Sequence, residues 1–365
     1  MKLFVDCQLF DKGFQGTRTY LEGLYKELIK KKNITFYLAS KNPENLKNVF
    51  GEHPNVTYLK YQSSNPVYRL LIDIPFLLLK YRIDFAHFQY RVPPLKVCKY
   101  IVTIHDVLFE DYPEYFSKAV KFQSFSTFKM GAKMSDIIFT VSDYSKYQIE
   151  KHLSVKNVYV HPNGVQDVFF EEYNKEKIKN KIQNQFGFHQ YLLYISRIEP
   201  RKKHDLLLNV FIKNKLYEKF HLVFVGTKTY ENHLLNSLFN SLEPSIQKKV
   251  CFLEHLSNNQ LIDLIRGADV SVYPSVAEGF GIPPLETIAS GIPTLCSNQT
   301  AMSDFTFLNQ SFFNPHEPEE LSQKLIEILK NGDKEINEKR KHIANKYNWK
   351  NSAEIFYKVI VNHKQ

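Results

Sequence analysis

Short apolar runs separated by amphipathic stretches recur along almost the whole chain. "KLFVD" (2–6), "ITFYLAS" (34–40), "NVTYLK" (55–60), "DFAHF" (84–88), "YIVTIHD" (100–106), "DIIFTVS" (136–142) and "NVYVHPN" (157–163) read as strands. Between them lie helical periodicities such as "TRTYLEGLYKELIKKK" (17–32) and "VYRLLIDIPFLLLKYR" (67–82). A lysine- and asparagine-rich stretch, "EEYNKEKIKNKIQNQFG" (171–187), interrupts the rhythm, and the inter-domain connection is placed there. The alternation resumes with "YLLYISR" (191–197), "FHLVFVGT" (220–227), "VCFLEHL" (250–256), "DVSVYPS" (269–275), "IPTLCS" (292–297) and "QSFFNP" (310–315). Repeated strand–helix alternation predicts parallel sheets in an α/β fold. The pattern therefore predicts two Rossmann-like, doubly wound domains, residues 1–170 and 171–346, with a closing amphipathic helix over 347–365. Ligands of such domains bind at the carboxyl ends of the strands and in the cleft between sheets.

Residues 67–82 fit two roles. The patch "FLLLKY" suits a helix lying on a membrane surface. Arg69 and Asp73 interrupt it and favour a buried crossover helix.

Composition narrows the class. At 365 residues, 43% hydrophobic and 24% charged, the chain can bury two cores. Aromatics reach 14%, which core enrichment mostly explains. Four widely spaced cysteines without a CxxC pair argue against zinc and against a disulfide framework, which points to a reducing cytoplasm. "MKLFVDCQLF" enters a strand at once, so no signal peptide is expected, and no long apolar run predicts a membrane span. The net charge of +10 is concentrated in the first half. A nucleic acid, an anionic membrane surface or a phosphorylated ligand would match it, as would a merely basic proteome. The cations are scattered and no nucleic-acid motif occurs, so nucleic acid is not an expected partner.

One loop carries candidate chemistry: "YPSVAEGFGIPPLETIASGIPTLC" (273–296). After a buried strand, Gly279 and Gly281 let a ligand approach the main chain, and Pro283 and Pro284 suit the first turn of a helix. Glu278 then lies in the loop and Glu286 in the first helical turn. A helix start favours anions. Two carboxylates beside it make sense if the ligand presents both phosphates and hydroxyls, as a nucleotide sugar does. Alternatively, Glu286 complements the helix dipole and Glu278 is solvated. A second stretch, "YISRIEPRKKHDLLLNVF" (194–211), offers Arg197, Arg201, Lys202 and Lys203 at another strand end, where cations suit a diphosphate.

"EGFGIPPLE", with its Glu-x7-Glu spacing, and "SRIEPRKKHDLL" resemble motifs of the retaining nucleotide-sugar glycosyltransferases of family 4, which have the GT-B fold. "VTIHDVLFEDYPEYF" (102–116), "DIIFTVSDYSKYQI" (136–149), "VYVHPNGV" (158–165) and "GADVSVYPS" (267–275) extend the resemblance over nearly the whole chain. It implies that Arg197 and Lys202 hold the donor diphosphate and stabilise the leaving group. Glu278 would meet the donor sugar, beside the main chain of Phe280, Gly281 and Ile282, while Glu286 would bind the ribose. His105 matches a histidine that reaches the donor sugar from the N-terminal domain. Gly13 and Gly16 fall where the family has a glycine-containing loop, with Arg18 next to it. The resemblance also implies that the final helix, from near Trp349, crosses back to the N-terminal domain. Two departures stand out: "NGVQD" (163–167) where "NGVD" is frequent, and "QTAMSDF" (299–305) where the family continues into a Leu-Pro-Glu segment.

The resemblance favours front-face substitution, in which the departing diphosphate accepts the acceptor's proton. A covalent carboxylate route lacks a well-placed residue; Asp106 is the nearest, with a structural role expected. With two cations and a helix start on the diphosphate, no metal and no cofactor are expected. Closure of the domains would bring His105 to the sugar. The expected donor is GDP-mannose, with UDP-glucose, UDP-N-acetylglucosamine and dTDP-rhamnose as alternatives. The expected acceptor is a saccharide or a glycan on a lipid diphosphate at the cytoplasmic membrane face, as in surface-polysaccharide assembly. A non-catalytic nucleotide-sugar binding module and a sugar-nucleotide epimerase are the competing readings; an epimerase would convert donor with no acceptor present.

Overall fold

The computed structural model describes residues 1–11, 16–228 and 230–364. The chain divides into two compact units, Met1–Gly164 with Tyr347–Gln365, and Val165–Lys346.

In the first unit the seven candidate runs form strands β1 (Lys2–Asp6), β2 (Thr35–Ser40), β3 (Val56–Lys60), β4 (Phe85–Gln89), β5 (Lys99–Thr103), β6 (Ile137–Thr140) and β7 (Val158–Val160). All pairings are parallel and the order is β3-β2-β1-β4-β5-β6-β7. The chain winds outward from β1 to one edge and from β4 to the other, so the topological switch point lies between these two strands. Alternation along the strands sends Phe4, Phe88, Tyr100 and Val102 into one core with Leu77 and Phe128, from helices Ile74–Tyr81 and Lys118–Met134. The opposite face receives the terminal helix Trp349–Asn362, whose Phe356 stacks on Phe139 at 4.7 Å.

The terminal helix is seated by close backbone approach. A Cβ on Gly23, within helix Gly16–Leu28, would lie 2.1 Å from the Trp349 ring, and one on Gly164 would lie 2.4 Å from the Trp349 nitrogen.

The segment 66–81 is built in three pieces. Asn65 caps its start, accepting from the Val67 and Tyr68 N–H groups at 2.8 and 3.2 Å. A π turn, Arg69–Asp73, then leads into helix Ile74–Tyr81. The two charges that argued for burial are indeed inside: Arg69 is 3.6 Å from Asp6, and Asp73 accepts from the Gln62 and Ser63 N–H groups at 2.9 and 3.1 Å. The outer face is nevertheless apolar, with Val67, Leu71, Ile72, Phe76 and Leu79 all exposed. The segment is thus only half a buried crossover, because the π turn directs its polar residues inward.

The second unit holds β8 (Tyr191–Ile195), β9 (His221–Val225), β10 (Val250–Leu253), β11 (Val270–Tyr273), β12 (Thr294–Ser297) and β13 (Phe312–Phe313). Their order is β10-β9-β8-β11-β12-β13, all parallel, with the switch point between β8 and β11. The stretch 171–187 is not a connector. Its helix, Lys175–Phe186, packs within this unit, with Lys179 Nζ 2.6 Å from Asp269 Oδ1. The division falls after Gly164 because the turn Asp167–Phe170 is already anchored, Arg266 Nη2 donating to the Val168 carbonyl at 2.5 Å.

Gly23→Ala should lower stability by about 1–3 kcal/mol, as overpacking does. At an open helix position the same change would raise it by roughly 0.5–1 kcal/mol. A urea melt whose midpoint rises in Gly23→Ala would show that Trp349 is not seated there.

Candidate functional site

The two stretches singled out by their chemistry follow β8 and β11, the neighbours at the switch point of the second unit. Each strand ends in a loop that the other stabilises. The Tyr194 hydroxyl, at the end of β8, donates to the Lys202 carbonyl at 2.8 Å and lies 3.0 Å from Ser275 Oγ. The Val276 N–H donates to the Arg201 carbonyl at 2.9 Å.

Ionic contacts reinforce these main-chain links. Glu199 is 4% exposed, and its Oε2 accepts from Arg201 Nε at 2.9 Å while its Oε1 lies 3.1 Å from Arg197 Nε. Arg201 then reaches across to donate through Nη1 to the Ala277 carbonyl at 2.5 Å, with Glu278 Oε2 at 3.9 Å. Lys202 is buried and donates directly to Glu278 Oε1. Arg197, Lys202 and Glu278 are thus brought into one ionic chain, Arg197–Glu199–Arg201–Glu278–Lys202. The sequence offers Arg201 only as one of several cations suited to a diphosphate and gives Glu199 no role; the one signal for Glu199 is an acid set among the cations of "RIEPRKK".

The charges tune one another. Burial would raise the Glu278 carboxyl, but Lys202 and Arg201 outweigh it and hold the group below its ordinary range. Burial, and then Arg201, push Lys202 down to about 8 against the pull of Glu278. Lys202 is therefore a cation at neutral pH that loses its proton more readily than an ordinary lysine. Arg197 keeps 58% of its side chain exposed, so it alone of the two basic residues faces outward.

Gly281 takes φ +103, a left-handed conformation, and precedes helix Ile282–Ala289, which has no side-chain cap at its start. Phe280 is buried, its ring edge-on to Phe305 at 5.5 Å, so its aromatic group serves packing. The Glu278 N–H donates to Thr300 Oγ1 at 2.9 Å, and the Ala301 N–H to the Glu278 carbonyl at 3.3 Å. The departing segment 299–305 is therefore what braces the loop from behind. Sequence reasoning did not single out Thr300.

Glu286 differs from the expectation in one respect. The helix begins at Ile282, so Glu286 is its fifth residue and lies beyond the first turn. A helix dipole acts mainly within that turn, which weakens the dipole explanation. Burial alone lifts its carboxyl to about 7. Among the described residues its carboxylate makes no hydrogen bond or ion pair, unlike Glu278.

The remaining candidates belong to the first unit. His105, just after β5, is 8% exposed, with Nε2 2.8 Å from Gln89 Oε1 and its ring edge-on to Tyr20 at 4.7 Å. An amide oxygen on Nε2 requires the proton there, which leaves Nδ1 as an acceptor. Burial lowers this histidine to about 3, so it is neutral at physiological pH. Gln89 Nε2 continues to His87 Nε2 at 3.2 Å, and His87 meets Thr103 at 2.8 Å and Tyr25 at 2.6 Å. Gly16 opens helix Gly16–Leu28, and a Cβ there would meet nothing within 4 Å, so packing does not demand glycine. Gly13 lies outside the described residues. Arg18 sits over the Phe10 ring at 5.1 Å. No cluster of three metal-ligating side chains occurs among the described residues.

Two family models cover the chain in succession: Glycosyltransferase Family 4 over residues 14–168, and Glycosyl transferases group 1 over residues 174–349. The chain belongs to the family 4 glycosyltransferases. The group 1 match contains Arg197, Lys202, Glu278 and Glu286, and the family 4 match contains His105 and Gly16. The chain is 30% identical over 216 residues to the O-antigen chain mannosyltransferase RfbU of Salmonella typhimurium, covering 59% of this chain and 56% of that one. It is 24% identical over 255 residues to O-antigen chain mannosyltransferase B of Escherichia coli, covering 67% and 66%. The chain thus spans between about half and two thirds of the length of these relatives. The structure superposes on Anabaena HepE in complex with UDP-glucose with a TM-score of 0.74 at 14% identity, over 99% of this chain and 100% of that one. That likeness identifies the GT-B fold.

A carboxyl raised in the folded state favours folding at low pH, and the advantage is lost as pH rises from its unfolded value through about 7. Glu286→Gln should therefore be more stable than wild type above pH 7, by on the order of 1–3 kcal/mol, with the difference vanishing near pH 4. Thermal melts of both proteins across that range test this. Equal melting temperatures at pH 8 would show that Glu286 is not strained.

Proposed function

We propose that this chain transfers a hexosyl group, mannose from GDP-mannose in the first instance, to a saccharide or lipid-diphosphate-linked glycan acceptor, with retention of anomeric configuration. The observation that carries this reading is the pairing of an ionic chain after β8 with the uncompensated Glu286 beyond β11, on adjacent strands at one switch point. Cations there match a diphosphate, and a carboxylate with no protein partner matches hydroxyl donors such as a ribose. Mannose is favoured because the two O-antigen relatives named above are mannosyltransferases. HepE, with the same fold, is described in complex with UDP-glucose, which supports a nucleotide-sugar donor.

In this mechanism the bond from the sugar's anomeric carbon to the diphosphate oxygen breaks as the acceptor hydroxyl bonds to that carbon on the same face. The acceptor's proton passes to the departing phosphate oxygen, so the products are the glycoside and the nucleoside diphosphate. Negative charge grows on the leaving group, where Arg197 and Lys202 stabilise it without further reorganisation. Glu278, ionised and anchored by Lys202, accepts from sugar hydroxyls; Glu286 does the same for the ribose. Neutral His105 offers its Nδ1 lone pair to a hydroxyl and supplies no charge. The reading includes metal independence, since the diphosphate's charge falls to the two cations and the helix start. It also places the protein in the cytoplasm, which suits four cysteines that are all free thiols.

Arg197→Ala should lower kcat by about 10²–10³, the scale on which a transition-state charge partner acts, while leaving stability nearly unchanged. Lys202→Ala should show the same loss and also destabilise by up to about 3–5 kcal/mol, because Glu278 loses its direct cation and keeps only the more distant Arg201. Steady-state assays with GDP-mannose in EDTA, paired with urea melts, separate the two effects. Full activity of Arg197→Ala, or loss of wild-type turnover in EDTA, would refute the mechanism. Donor consumption without any acceptor product would favour an epimerase instead.

A further inference from the structure

Strand β4 ends in a turn that the chain holds under strain. The Arg91 N–H donates back to the Gln89 carbonyl at 2.7 Å, closing a γ-turn about Tyr90, whose φ is +64. A γ-turn about a positive φ is the rare, strained form, and a bulky aromatic residue there is an outlier. Packing enforces it. The Tyr90 N–H donates to the Thr103 carbonyl of β5 at 3.0 Å, and its ring stacks on Phe128 of helix Lys118–Met134 at 4.7 Å. Behind the turn, a Cβ on Gly131 of that helix would lie 2.8 Å from the Tyr90 carbonyl oxygen, so the close approach requires glycine. A glycine inside a helix and a strained aromatic are each unfavourable by themselves, and strain that a fold retains points to a function.

The neighbours of the turn show what it serves. It stands beside β1, at the switch point of the first unit's sheet. There Gln89 Oε1 meets His105 Nε2 at 2.8 Å, and the Tyr90 ring lies 5.3 Å from the His105 ring, tilted by 45°. Tyr20 meets the same imidazole edge-on at 4.7 Å, and it belongs to the helix that packs with the terminal helix on the opposite face of the sheet. His105 is thus gripped by elements from both faces. Burial keeps its ring neutral, so it carries one proton. Among the described residues Gln89 is its one hydrogen-bond partner, and the Gln89 amide is itself oriented by His87 Nε2 at 3.2 Å.

We propose that Tyr90 is a positioning residue: its strained turn holds the Gln89 amide and its own ring against His105, so that the imidazole presents its Nδ1 lone pair in one tautomer and one plane. Tyr90 acts through Gln89 and His105. The proposal rests on the reading above, in which His105 meets a hydroxyl of the donor sugar. A relaxed turn would let the Gln89 amide swing away, and the other tautomer would set an N–H where the sugar hydroxyl needs an acceptor. Gly131 and the stack on Phe128 then have a purpose beyond packing, because they hold the turn from behind.

The test uses the full chain with isotope-labelled histidine rings, the His105 signals being identified by their loss in His105→Gln. At neutral pH, proton–nitrogen correlation spectra of wild type should show His105 as one species, with Nε2 protonated and Nδ1 bare. Gly131→Ala, which displaces the Tyr90 carbonyl, and Tyr90→Ala, which removes the stacked ring, should each add the Nδ1-protonated form. Both should lower kcat with GDP-mannose by about tenfold while leaving the KM for acceptor unchanged. Tyr90→Phe, which keeps the ring, should return the single tautomer. Circular dichroism checks that each variant is folded, and if Gly131→Ala is not, the Tyr90 pair decides. A single Nε2-protonated species in folded Tyr90→Ala would overturn the proposal, as would wild-type kcat in that variant when His105→Gln is impaired. Full kcat in His105→Gln would instead refute the donor contact of His105, and the spectra would still decide whether the turn sets the ring.

Discussion

The buried contact between Lys202 and Glu278 is the constraint on which the second unit's site depends. Neither residue is stable there alone. Removing a lysine and a carboxylate from water costs several kcal/mol each, and only their mutual attraction and added hydrogen bonds offset it. Arg201 extends the pairing to Glu199 on one side and to the Ala277 carbonyl on the other. Loops from two different strands are thereby locked together with their charges already oriented. A site that stabilises developing negative charge needs this, because dipoles and cations that must reorient during the reaction lose much of their effect.

Much of this was legible because parallel sheets leave a strong trace. Strands buried on both faces read as continuous apolar runs, and the thirteen strands of the described residues fall on runs chosen for that reason, β4 and β5 each overrunning by one residue. Glycine and tandem proline marked the β11 loop for local reasons that need no knowledge of the rest of the fold. What escaped was whatever depends on tertiary proximity. Glu199 looks like one more solvent charge until the fold buries it between two arginines. Thr300, in the segment that departs from the family, gains its role only because its left-handed backbone, φ 52, puts the hydroxyl behind Glu278. The boundary between units was misplaced by six residues for a similar reason. Composition marked the lysine-rich helix, but the anchoring contact belongs to Arg266, far along the chain.

The first unit shows how little a single motif residue says about its own chemistry. His105 stood out in "TIHD", yet its protonation is decided by neighbours that sequence reasoning left unnamed. Gln89, at the end of β4, presents its oxygen to His105 and its nitrogen to His87. Tyr20 meets both Thr103 and His161, and Ser352 of the terminal helix reaches His161 Nδ1 at 3.0 Å. Burial keeps His87, His105 and His161 all below their ordinary values, so the cluster is a neutral hydrogen-bond network, not a store of charge. The terminal helix is part of what holds that network in register, which ties the seating of Trp349 to the orientation of His105.

Arg197 and Arg201 bear on how a site is kept ready. Both are held by Glu199, but Arg201 is spent on internal bonds while Arg197 remains mostly exposed. Glu286 repeats the contrast with Glu278: one carboxylate has its cation, and the other is half-buried with no partner among the described residues and a raised proton affinity. A chain selected for stability alone would gain by replacing Glu286 with an apolar residue. Glu199, Arg201, Lys202 and Glu278 are tied to one another, whereas Arg197 keeps most of its side chain exposed beyond its contact with Glu199, and Glu286 has no hydrogen bond or ion pair among the described residues. That division between a paired frame and two groups of opposite sign with bonding capacity left over is what a ligand bearing both phosphates and hydroxyls would complete.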